Sequence, residues 1–330
     1  MQDIFHHTDN KYIHSITNEN FEAIALQLFD YQYANNILYK SFVDTLGRND
    51  KRPKSLQEIP FLPISFFKTH KVVTGDFDTG LVFESSTTTS ETPSKHYVKN
   101  EQLYFESLLN GFTSFYGSPS NYAILALLPS YLQRGNASLV HMTKVLMEHS
   151  GHESNGFYID EFDRLHNVLL ELENAQHPVL LIGVTFALLD FAERYPIQLN
   201  NTIVMETGGM KGRRKEMVRD EVHDYLSSKF SVQSIHSEYG MTELLSQAYS
   251  KGEGVFSPSS TMKLLVRDIN DPLDLNTHGT GCLNIIDLAN VDSCAFIATD
   301  DIGRIFPNET FEVLGRADNS ALRGCNLMAV

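Results

Sequence analysis

The chain has 330 residues, of which 42% are hydrophobic and 20% charged, and its formal net charge is −15. A chain of this length can bury a large core without disulfide bonds, and it has room for one large domain or two medium ones. The acidic balance argues against binding to a nucleic-acid backbone, which requires a basic face.

The sequence also argues against membrane insertion and secretion. No apolar run approaches the roughly 18–20 residues that a membrane-spanning helix needs. The first ten residues lack the basic start and apolar core of a signal peptide. The three cysteines show no CxxC spacing, which is typical of a reducing compartment. We therefore expect a cytoplasmic protein with no membrane span.

The first fifty residues are predicted to be helical, because apolar residues recur there at helical spacing. These residues are Phe21, Ile24, Ala25, Leu28 and Phe29. Pro60 and Pro63 then bracket an apolar stretch, and two prolines make this stretch a poor central strand.

From about residue 80, short apolar strands alternate with amphipathic helices. The predicted strands are GLVFESS, YAILALLPS, PVLLIGVT, TIVMETGG and SVQSIHSEYG. Such alternation predicts a largely parallel sheet covered by helices, in which ligands bind at the carboxyl ends of the strands.

After residue 255 the helical pattern stops. The segments MKLLVRDI, GCLNIIDL, CAFIATDD and FEVLGRAD predict consecutive strands of a small antiparallel sheet or barrel. The predicted fold class is α/β with a β-rich C-terminal part. We expect one domain over 1–330, with a helical region at 1–80, an α/β core at 81–255 and the β-rich part at 256–330.

The strongest local signal is a hydroxyl-rich loop directly after the first of these strands. Six of the seven residues from Ser85 to Glu91 are serine or threonine. Backbone N–H groups and hydroxyls in such a loop can surround phosphate oxygens, and Lys95 can add a positive charge. A solvated polar loop explains the composition equally well.

A second candidate is the segment from Ser237 to Glu243, at the end of another predicted strand. Tyr239 can stack on a planar base, and Gly240 permits close approach of the backbone. Thr242 offers a hydroxyl, and Glu243 offers a hard oxygen ligand for magnesium. The alternative is an ordinary helix N-terminus, where threonine and glutamate are common.

Two further turns are weaker candidates. Gly208 and Gly209 end a strand, where backbone can lie against a purine, and the basic run after them is more typical of a solvated helix start. The acidic turn at Asp300 and Asp301 can hold ribose hydroxyls, although a plain β-turn has the same composition.

Cys325 follows Arg323 closely near the end of the sequence. A neighbouring cation lowers the pKa of a thiol and makes it a better nucleophile. A buried apolar cysteine fits the same position. Cys282 and Cys294 fall inside predicted strands, and we assign both to packing. The sequence contains neither an HExxH metal motif nor a Gly-x-Ser-x-Gly elbow.

The order of these motifs is more specific than any one of them. A hydroxyl-rich loop, Gly-Gly, Tyr-Gly-x-Thr-Glu, Thr-x-Asp-x-Gly and Gly-Arg-x-Asp follow one another. This order resembles the adenylate-forming superfamily, and within it most closely the acyl-protein synthetases (long-chain fatty acid–protein ligases). The narrower resemblance is carried by the segments 59–73, 127–142, 206–216 and 322–330, and it covers nearly the whole chain from about residue 20.

The resemblance implies ATP and Mg²⁺ as cofactors and assigns roles by position. Phosphates would be held by Ser86, Thr87, Thr88, Thr89 and Ser90. The adenine would lie against Gly208 and Gly209 and stack on Tyr239, with Glu238 and Gly240 beside it. Thr242 would contact phosphate, and Glu243 would bind magnesium. Asp301 would hold the ribose, with Arg316 beside it. Asp318 would be the hinge residue, and Cys325 would accept the acyl group.

The sequence departs from the superfamily pattern in two places. Thr87 and Ser90 stand where glycine is usual, which predicts a reshaped loop or loss of ATP turnover, since a Cβ disfavours positive φ. The superfamily's mobile C-terminal domain is also expected to be absent, as in acyl-protein synthetases.

The resemblance implies activation of a carboxylic acid, fatty or aryl, to an acyl-adenylate, followed by transfer to a protein thiol and on to a reductase partner. Two alternatives stay open. One is an AMP-forming acyl-CoA ligase that uses CoA with a separate C-terminal domain, and the other is a nucleotide- or acyl-binding protein without turnover.

Overall fold

The computed structural model describes residue 5 and residues 10–48, 51–78, 80–85, 92–128, 136–158, 161–208, 217–268 and 271–317. The chain divides into two compact units. The terminal unit joins Met1–Asp78 to Ser260–Val330, and the central unit is Thr79–Ser259. The boundaries between the units, at residues 78/79 and 259/260, lie close to residues 80 and 255, where the sequence pattern changes.

The N-terminal part of the terminal unit is mostly helical. Its elements are 3₁₀ turns Asn10–Ser15 and Leu56–Glu58, helices α1 Phe21–Asn35, α2 Ile37–Thr45 and α3 Phe66–Thr69, and strand β1 Leu62–Pro63. The five apolar residues predicted to share a face of α1 are all buried, which confirms the helical prediction. The two-proline stretch forms only the two-residue β1.

The central unit alternates strands and helices as predicted. Its helices are α4 Glu101–Tyr116, α5 Ser138–Ser150, α6 Phe162–Asn174, α7 Thr185–Arg194 and α8 Arg219–Phe230, with a 3₁₀ turn Pro119–Asn121. Its strands are β2 Leu81–Glu84, β3 Lys95–Val98, β4 Ala123–Leu127, β5 Gly156–Phe157, β6 Val179–Gly183, β7 Thr202–Glu206, β8 His236–Tyr239, β9 Ala248–Ser250 and β10 Val255–Pro258.

Strands β4 to β8 form the parallel part of the central sheet. The strand order is β10-β9-β8-β7-β6-β4-β5, and β9 and β10 are antiparallel to their neighbours. Every residue of β4 and of β6 is buried, as expected for parallel strands covered on both faces. The predicted parallel sheet is therefore confirmed, with two short antiparallel strands added.

Two elements of the central unit differ from the sequence prediction. Strand β3 pairs antiparallel with β2 in a separate two-stranded sheet, so the hydroxyl-rich loop connects a hairpin instead of leading from a strand to a helix. Helix α6 was not predicted, although its buried residues Leu165, Leu169 and Leu172 have helical spacing.

The C-terminal part of the terminal unit is a small antiparallel sheet, as predicted. Its strands are β11 Met262–Arg267, β12 Leu275–Asn276, β13 Gly279–Asp287, β14 Phe296–Ile305 and β15 Phe311–Arg316, in the order β12-β11-β13-β14-β15. Strand β1 adds to β14 in parallel, with Leu62 opposite Ile297.

The helical N-terminus packs on this C-terminal sheet through a buried amide. The Gln32 Nε2 donates to the carbonyl oxygens of Asn290 at 2.8 Å and Val291 at 2.9 Å. The Ala295 N–H donates to Gln32 Oε1 at 2.9 Å. Gln32 is fully buried, so these bonds satisfy groups that would otherwise lose hydrogen bonds to water.

Within the described residues, no helix has the length and apolar character needed to cross a membrane.

Candidate functional site

The carboxyl ends of β6, β7 and β8 lie side by side in the central unit. Gly183 at the end of β6 is opposite Glu206, and Glu206 at the end of β7 is opposite Ser237 of β8. The segments that leave these strands contain three of the candidate motifs. The parallel register therefore brings together side chains from segments that are far apart in sequence.

The turn after β7 is held by the carboxylate of Glu206. This carboxylate is 7% exposed, and it accepts hydrogen bonds from the Thr185 hydroxyl and from the Gly208 N–H, the latter at 2.7 Å. The Thr207 N–H donates to the Gly183 carbonyl at 3.1 Å. Gly208 has φ +75°, a conformation that side chains with a Cβ rarely adopt. Gly209 lies outside the described residues.

Alternate residues of β8 point to opposite faces of the sheet. On one face, Ser237 Oγ lies 3.4 Å from His223 Nε2 of α8. On the other, His236 Nδ1 lies 3.2 Å from the Tyr116 hydroxyl of α4. By alternation, Tyr239 shares the α8 face and Glu238 the α4 face. Glu238 and Tyr239 are therefore adjacent in sequence but face different surroundings.

Glu238 has an unusual environment for a carboxyl group. Burial, and secondarily the charge of Glu206, raise the pKa of Glu238 to about 8. A Cβ at Gly240 would lie only 2.5 Å from Glu238 Oε1. Glycine at 240 thus leaves the space into which the Glu238 carboxyl group turns.

The segment after β8 is tied to the hairpin that carries the hydroxyl-rich loop. His96 of β3 is 1% exposed, and its Nδ1 donates to the Thr242 carbonyl oxygen at 2.9 Å. Glu243, next in the chain, is 5% exposed. The contact places the base of the hairpin beside Thr242, which is 146 residues from His96 in sequence, and beside the neighbouring Glu243.

The hydroxyl-rich loop itself, Ser86 to Ser90, lies outside the described residues, whereas its base is described. The Ser85 N–H donates to the Ser94 carbonyl at 3.1 Å, and the Ser94 N–H donates to Ser85 Oγ at 2.9 Å. Lys95 is exposed and pairs with Glu84 at 3.1 Å across the hairpin. This hydrogen bond, and then the charge of Glu84, raise the pKa of Lys95.

Asp301 and Arg316 belong to the terminal unit and lie opposite each other on β14 and β15. Arg316 Nε is 3.2 Å from Asp301 Oδ1. Asp301 is 6% exposed, and its N–H donates to Thr299 Oγ1 at 3.1 Å. The arginine thus lies beside the aspartate. Asp318 lies outside the described residues.

Cys282 and Cys294 are both buried free thiols, as expected for packing residues. Burial raises the pKa of Cys294 to about 12, so this thiol stays protonated and unreactive at neutral pH. Cys325 lies outside the described residues.

The donor set around Glu243 fits magnesium bound together with a nucleotide. The described residues contain no group of three or more histidines, cysteines or carboxylates that could hold a metal ion by themselves. Mg²⁺ is commonly held by one or two carboxylates together with substrate phosphates. Glu243, with the Thr242 hydroxyl next to it, supplies that kind of oxygen donor.

A polar cleft of about 940 Å³ lies at the other end of the central sheet. It is lined by one side of α8, by residues 233–235 before β8 and by residues 251–253 after β9. Since β9 runs antiparallel to β8, these segments mark the amino end of β8. None of the residues predicted from the sequence to form the site lines this cleft.

The chain resembles several solved structures in fold, including the following three. The ATP-bound RpMatB-BxBclM chimera B3 is 14% identical (TM-score 0.54), with 74% of this chain and 50% of that chain covered. ATP-bound MatB from Rhodopseudomonas palustris is 14% identical (TM-score 0.53), with 72% and 48% covered. 2-Hydroxyisobutyryl-CoA ligase in complex with 2-HIB-AMP is 11% identical (TM-score 0.62), with 91% and 67% covered.

These likenesses establish the fold, and the chain spans about half the length of the first two structures. No curated protein matches the chain significantly. The family model described as "Acyl-protein synthetase, LuxE" matches residues 10–329, which is nearly the whole sequence. The chain therefore belongs to the LuxE acyl-protein synthetase family.

Proposed function

We propose that this protein uses ATP to convert a carboxylic acid to an acyl-adenylate and then transfers the acyl group to a protein thiol. The observation that carries the proposal is the family match over residues 10–329. The hydrogen bond between His96 and Thr242 supports it, because it holds the base of the hydroxyl-rich hairpin beside Thr242 and Glu243. Phosphate and magnesium chemistry require donors of these two kinds in one place.

The nucleotide is proposed to bind at the carboxyl ends of β7 and β8. The left-handed turn at Gly208 leaves its backbone open to a flat ring, and Tyr239 offers an aromatic face. For the terminal unit, the family resemblance implies that Asp301, with Arg316 beside it, is a ligand of the ribose hydroxyls. Two of the fold neighbours are bound to ATP and one to an acyl-adenylate, which agrees with this assignment.

In the first step, a carboxylate oxygen of the acid attacks the α-phosphorus of ATP, and pyrophosphate leaves with the electron pair of the broken P–O bond. The N–H groups and hydroxyls of Ser86, Thr87, Thr88, Thr89 and Ser90 would stabilise the charge on the leaving phosphates, with Lys95 at the edge. Mg²⁺, when bound by Glu243, would neutralise part of that charge. Thr242 would orient a phosphate through its hydroxyl.

In the second step, a thiolate attacks the carbonyl carbon of the mixed anhydride, and AMP leaves as a thioester forms. We propose Cys325 as this thiol, because the two other cysteines are buried. The thioester would then serve a partner protein, for which we propose a reductase that accepts the acyl group. We place the reaction in the cytoplasm, where thiols stay reduced.

Exchange of radiolabel between pyrophosphate and ATP, in the presence of a panel of fatty and aryl acids, tests the first step. We expect exchange with at least one acid and its loss in Glu243→Gln, which keeps the side-chain shape but removes the charge. Absence of exchange with every acid would overturn acid activation and favour a binding protein without turnover.

Labelled acid tests the second step. We expect label to remain on the denatured wild-type protein and to be absent from Cys325→Ser, whereas Cys282→Ser, a matched control at a buried cysteine, keeps it. Label released only when CoA is added would contradict the protein-thiol step and favour an acyl-CoA ligase.

A further inference from the structure

Three polar side chains on the α4 face of the central sheet lie close together, and two of them contain a buried atom without a hydrogen-bond partner. Glu238 is opposite Tyr249 in the β8–β9 register, so both side chains lie on the same face. Gln247 joins them, because its Cγ is 3.7 Å from the position of a Cβ at Gly240, next to which the Glu238 carboxyl group also lies. We call Glu238, Gln247 and Tyr249 the polar chamber.

The chamber contains buried polar atoms that the protein itself does not satisfy. Gln247 is 5% exposed and Tyr249 is 2% exposed. Gln247 Oε1 and the Tyr249 hydroxyl are buried and have no hydrogen-bond partner. Buried polar atoms without partners are rare in native proteins and indicate a water or ligand that would complete them.

Helix α4 packs against the chamber residues on the side away from the strands. The Tyr249 ring lies 5.2 Å from the Phe115 ring and 5.4 Å from the Tyr116 ring, measured between centroids. Ser107 Oγ of α4 lies 3.2 Å from Ser246 Oγ, next to Gln247. Helix α4 therefore borders the chamber on one side and the ends of β8 and β9 border it on the other, and Phe115 and Tyr249 also line the polar cleft.

The chamber also borders the proposed site of the reaction. Glu238 immediately precedes Tyr239, and the two side chains point to opposite faces of β8. If the adenine stacks on Tyr239, the face that Glu238 shares with α4 remains for the acid. The chain of the acid would then meet Glu238 and Gln247 next to the reacting carboxylate.

We propose, on the basis of the function proposed above, that the polar chamber holds the chain of the acid and that this acid carries a hydrogen-bond donor, a hydroxyl or an amino group. Gln247 Oε1 can only accept a hydrogen bond, and it has no partner in the protein. A donor from the acid would also let Glu238 ionise and accept a hydrogen bond. An unsubstituted alkyl chain in this position would leave the Gln247 acceptor unpaired. A site built around such groups discriminates strongly against a substrate that lacks the donor.

The raised pKa of Glu238 is consistent with a hydrogen-bond donor that a ligand would supply. Burial and the charge of Glu206 raise the pKa of Glu238, and the charge of Glu238 contributes to the raised pKa of Tyr249. A hydrogen-bond donor from a ligand would stabilise the ionised carboxylate and thereby lower the pKa of Glu238.

The test compares straight-chain acids of increasing length, each as the unsubstituted acid and as its hydroxyl- and amino-bearing counterparts, in the ATP–pyrophosphate exchange reaction. We expect at least one donor-bearing acid to exceed its unsubstituted counterpart about tenfold or more in kcat/KM. The hydroxyl and amino series show which donor is recognised. Equal or better activity of the unsubstituted acids at every length would overturn the proposal.

Substitutions in the polar chamber test whether its residues are responsible for the preference for donor-bearing acids. Gln247→Leu should reduce the ratio between the two acids to about one, whereas Gln198→Leu, the same change at an exposed position, should leave it unchanged. Tyr249→Phe, which removes only the hydroxyl, should reduce the ratio in part, and it serves as a second variant should Gln247→Leu fold poorly. A ratio that persists in both variants would show that the donor binds elsewhere and that the chamber holds only water.

Calorimetric binding of the same acids without ATP separates this inference from the proposed function. If no acid supports exchange, the proposed activation step is wrong. The binding measurements then test, independently of that step, whether the chamber holds the acid. Binding of a donor-bearing acid that weakens about tenfold or more in Gln247→Leu would still support the chamber. Absence of such binding would overturn it.

Discussion

The imidazole Nδ1 of His96 donates a hydrogen bond to the carbonyl oxygen of Thr242 at 2.9 Å. His96 lies on the hairpin whose loop is rich in hydroxyls, and Thr242 precedes the proposed magnesium ligand Glu243. The bond therefore fixes the distance between two elements that are proposed to act on the same phosphates. Loss of one donor leaves a carbonyl unpaired, at a cost of about 1–3 kcal/mol.

His96→Phe keeps an aromatic ring against Phe83 but removes the donor. We expect kcat/KM for ATP in the exchange reaction to fall about tenfold or more, because Thr242 and Glu243 lose their fixed position relative to the hairpin. His149→Phe is the matched control, since His149 Nδ1 makes the same kind of bond to Val145 within α5. Equal losses in the two variants would contradict a role for His96 in positioning.

Thr185→Val tests the turn held by Glu206. Valine has nearly the shape of threonine but cannot donate to the buried Glu206 carboxylate. We expect the free energy of unfolding to fall by about 1–3 kcal/mol and the KM for ATP to rise, because Gly208 shares that carboxylate. Urea unfolding and exchange kinetics measure the two effects. Thr45→Val, at an exposed helical position, should change neither quantity.

Gly183→Ala tests the packing at the end of β6. A Cβ there would lie 2.9 Å from Leu127 Cβ and 3.1 Å from the Leu127 carbonyl oxygen. Because a backbone atom of a central strand cannot move freely, we expect a destabilisation of about 1–3 kcal/mol in urea unfolding. In Gly80→Ala, by contrast, the added Cβ has no neighbour within 4 Å, so stability should change by less than about 0.5 kcal/mol.

Glu238→Gln tests the raised pKa of about 8. Between the ordinary glutamate pKa and pH 8, the folded protein binds this proton more tightly than the unfolded chain does. The wild-type protein therefore loses stability from this group as pH rises through that window. We expect the stability of the variant relative to the wild type to increase by about 3–4 kcal/mol between pH 5 and pH 8. A difference in unfolding free energy that is independent of pH would contradict the shift.

Cys294 should resist alkylation in the folded protein. It is fully buried, and burial raises the pKa of its thiol to about 12, so almost no thiolate is present at pH 8. Mass spectrometry after iodoacetamide treatment should find Cys294 unmodified in the native protein and modified after denaturation. Cys294 lies two residues before β14, not inside a strand as predicted, and modification at similar rates in both states would show that this segment opens readily.

The alternating strands and helices of the central unit could be predicted because they depend on local periodicity. The apolar runs of β4 and β6 and the helical spacing of Phe21, Ile24 and Leu28 need no distant partner to be recognised. Strand β3 was missed for the opposite reason. Its four residues become a strand only through pairing with β2, and short strands carry little signal of their own.

The residues of the candidate site also divide into those that the sequence could predict and those that it could not. Tyr239, Thr242 and Glu243 could be proposed from their motif and from its place after a strand. His96 could not, because a single histidine in a polar stretch has no motif, and its bond to Thr242 depends on the packing of the hairpin. Gln247 and Tyr249 have no distinguishing sequence signal either, since their unpaired atoms result from the way α4 covers the sheet.

Length, charge and local pattern alone determined that this is an acidic α/β protein whose candidate motifs follow strands, because apolar periodicity and turn residues act over a few neighbours. Only the tertiary structure decided that the N-terminal helices join the C-terminal strands through Gln32, that His96 meets Thr242, and that burial and the charge of Glu206 raise the pKa of Glu238. These relationships depend on burial and hydrogen bonding between distant segments, and such contacts exist only once the chain has folded.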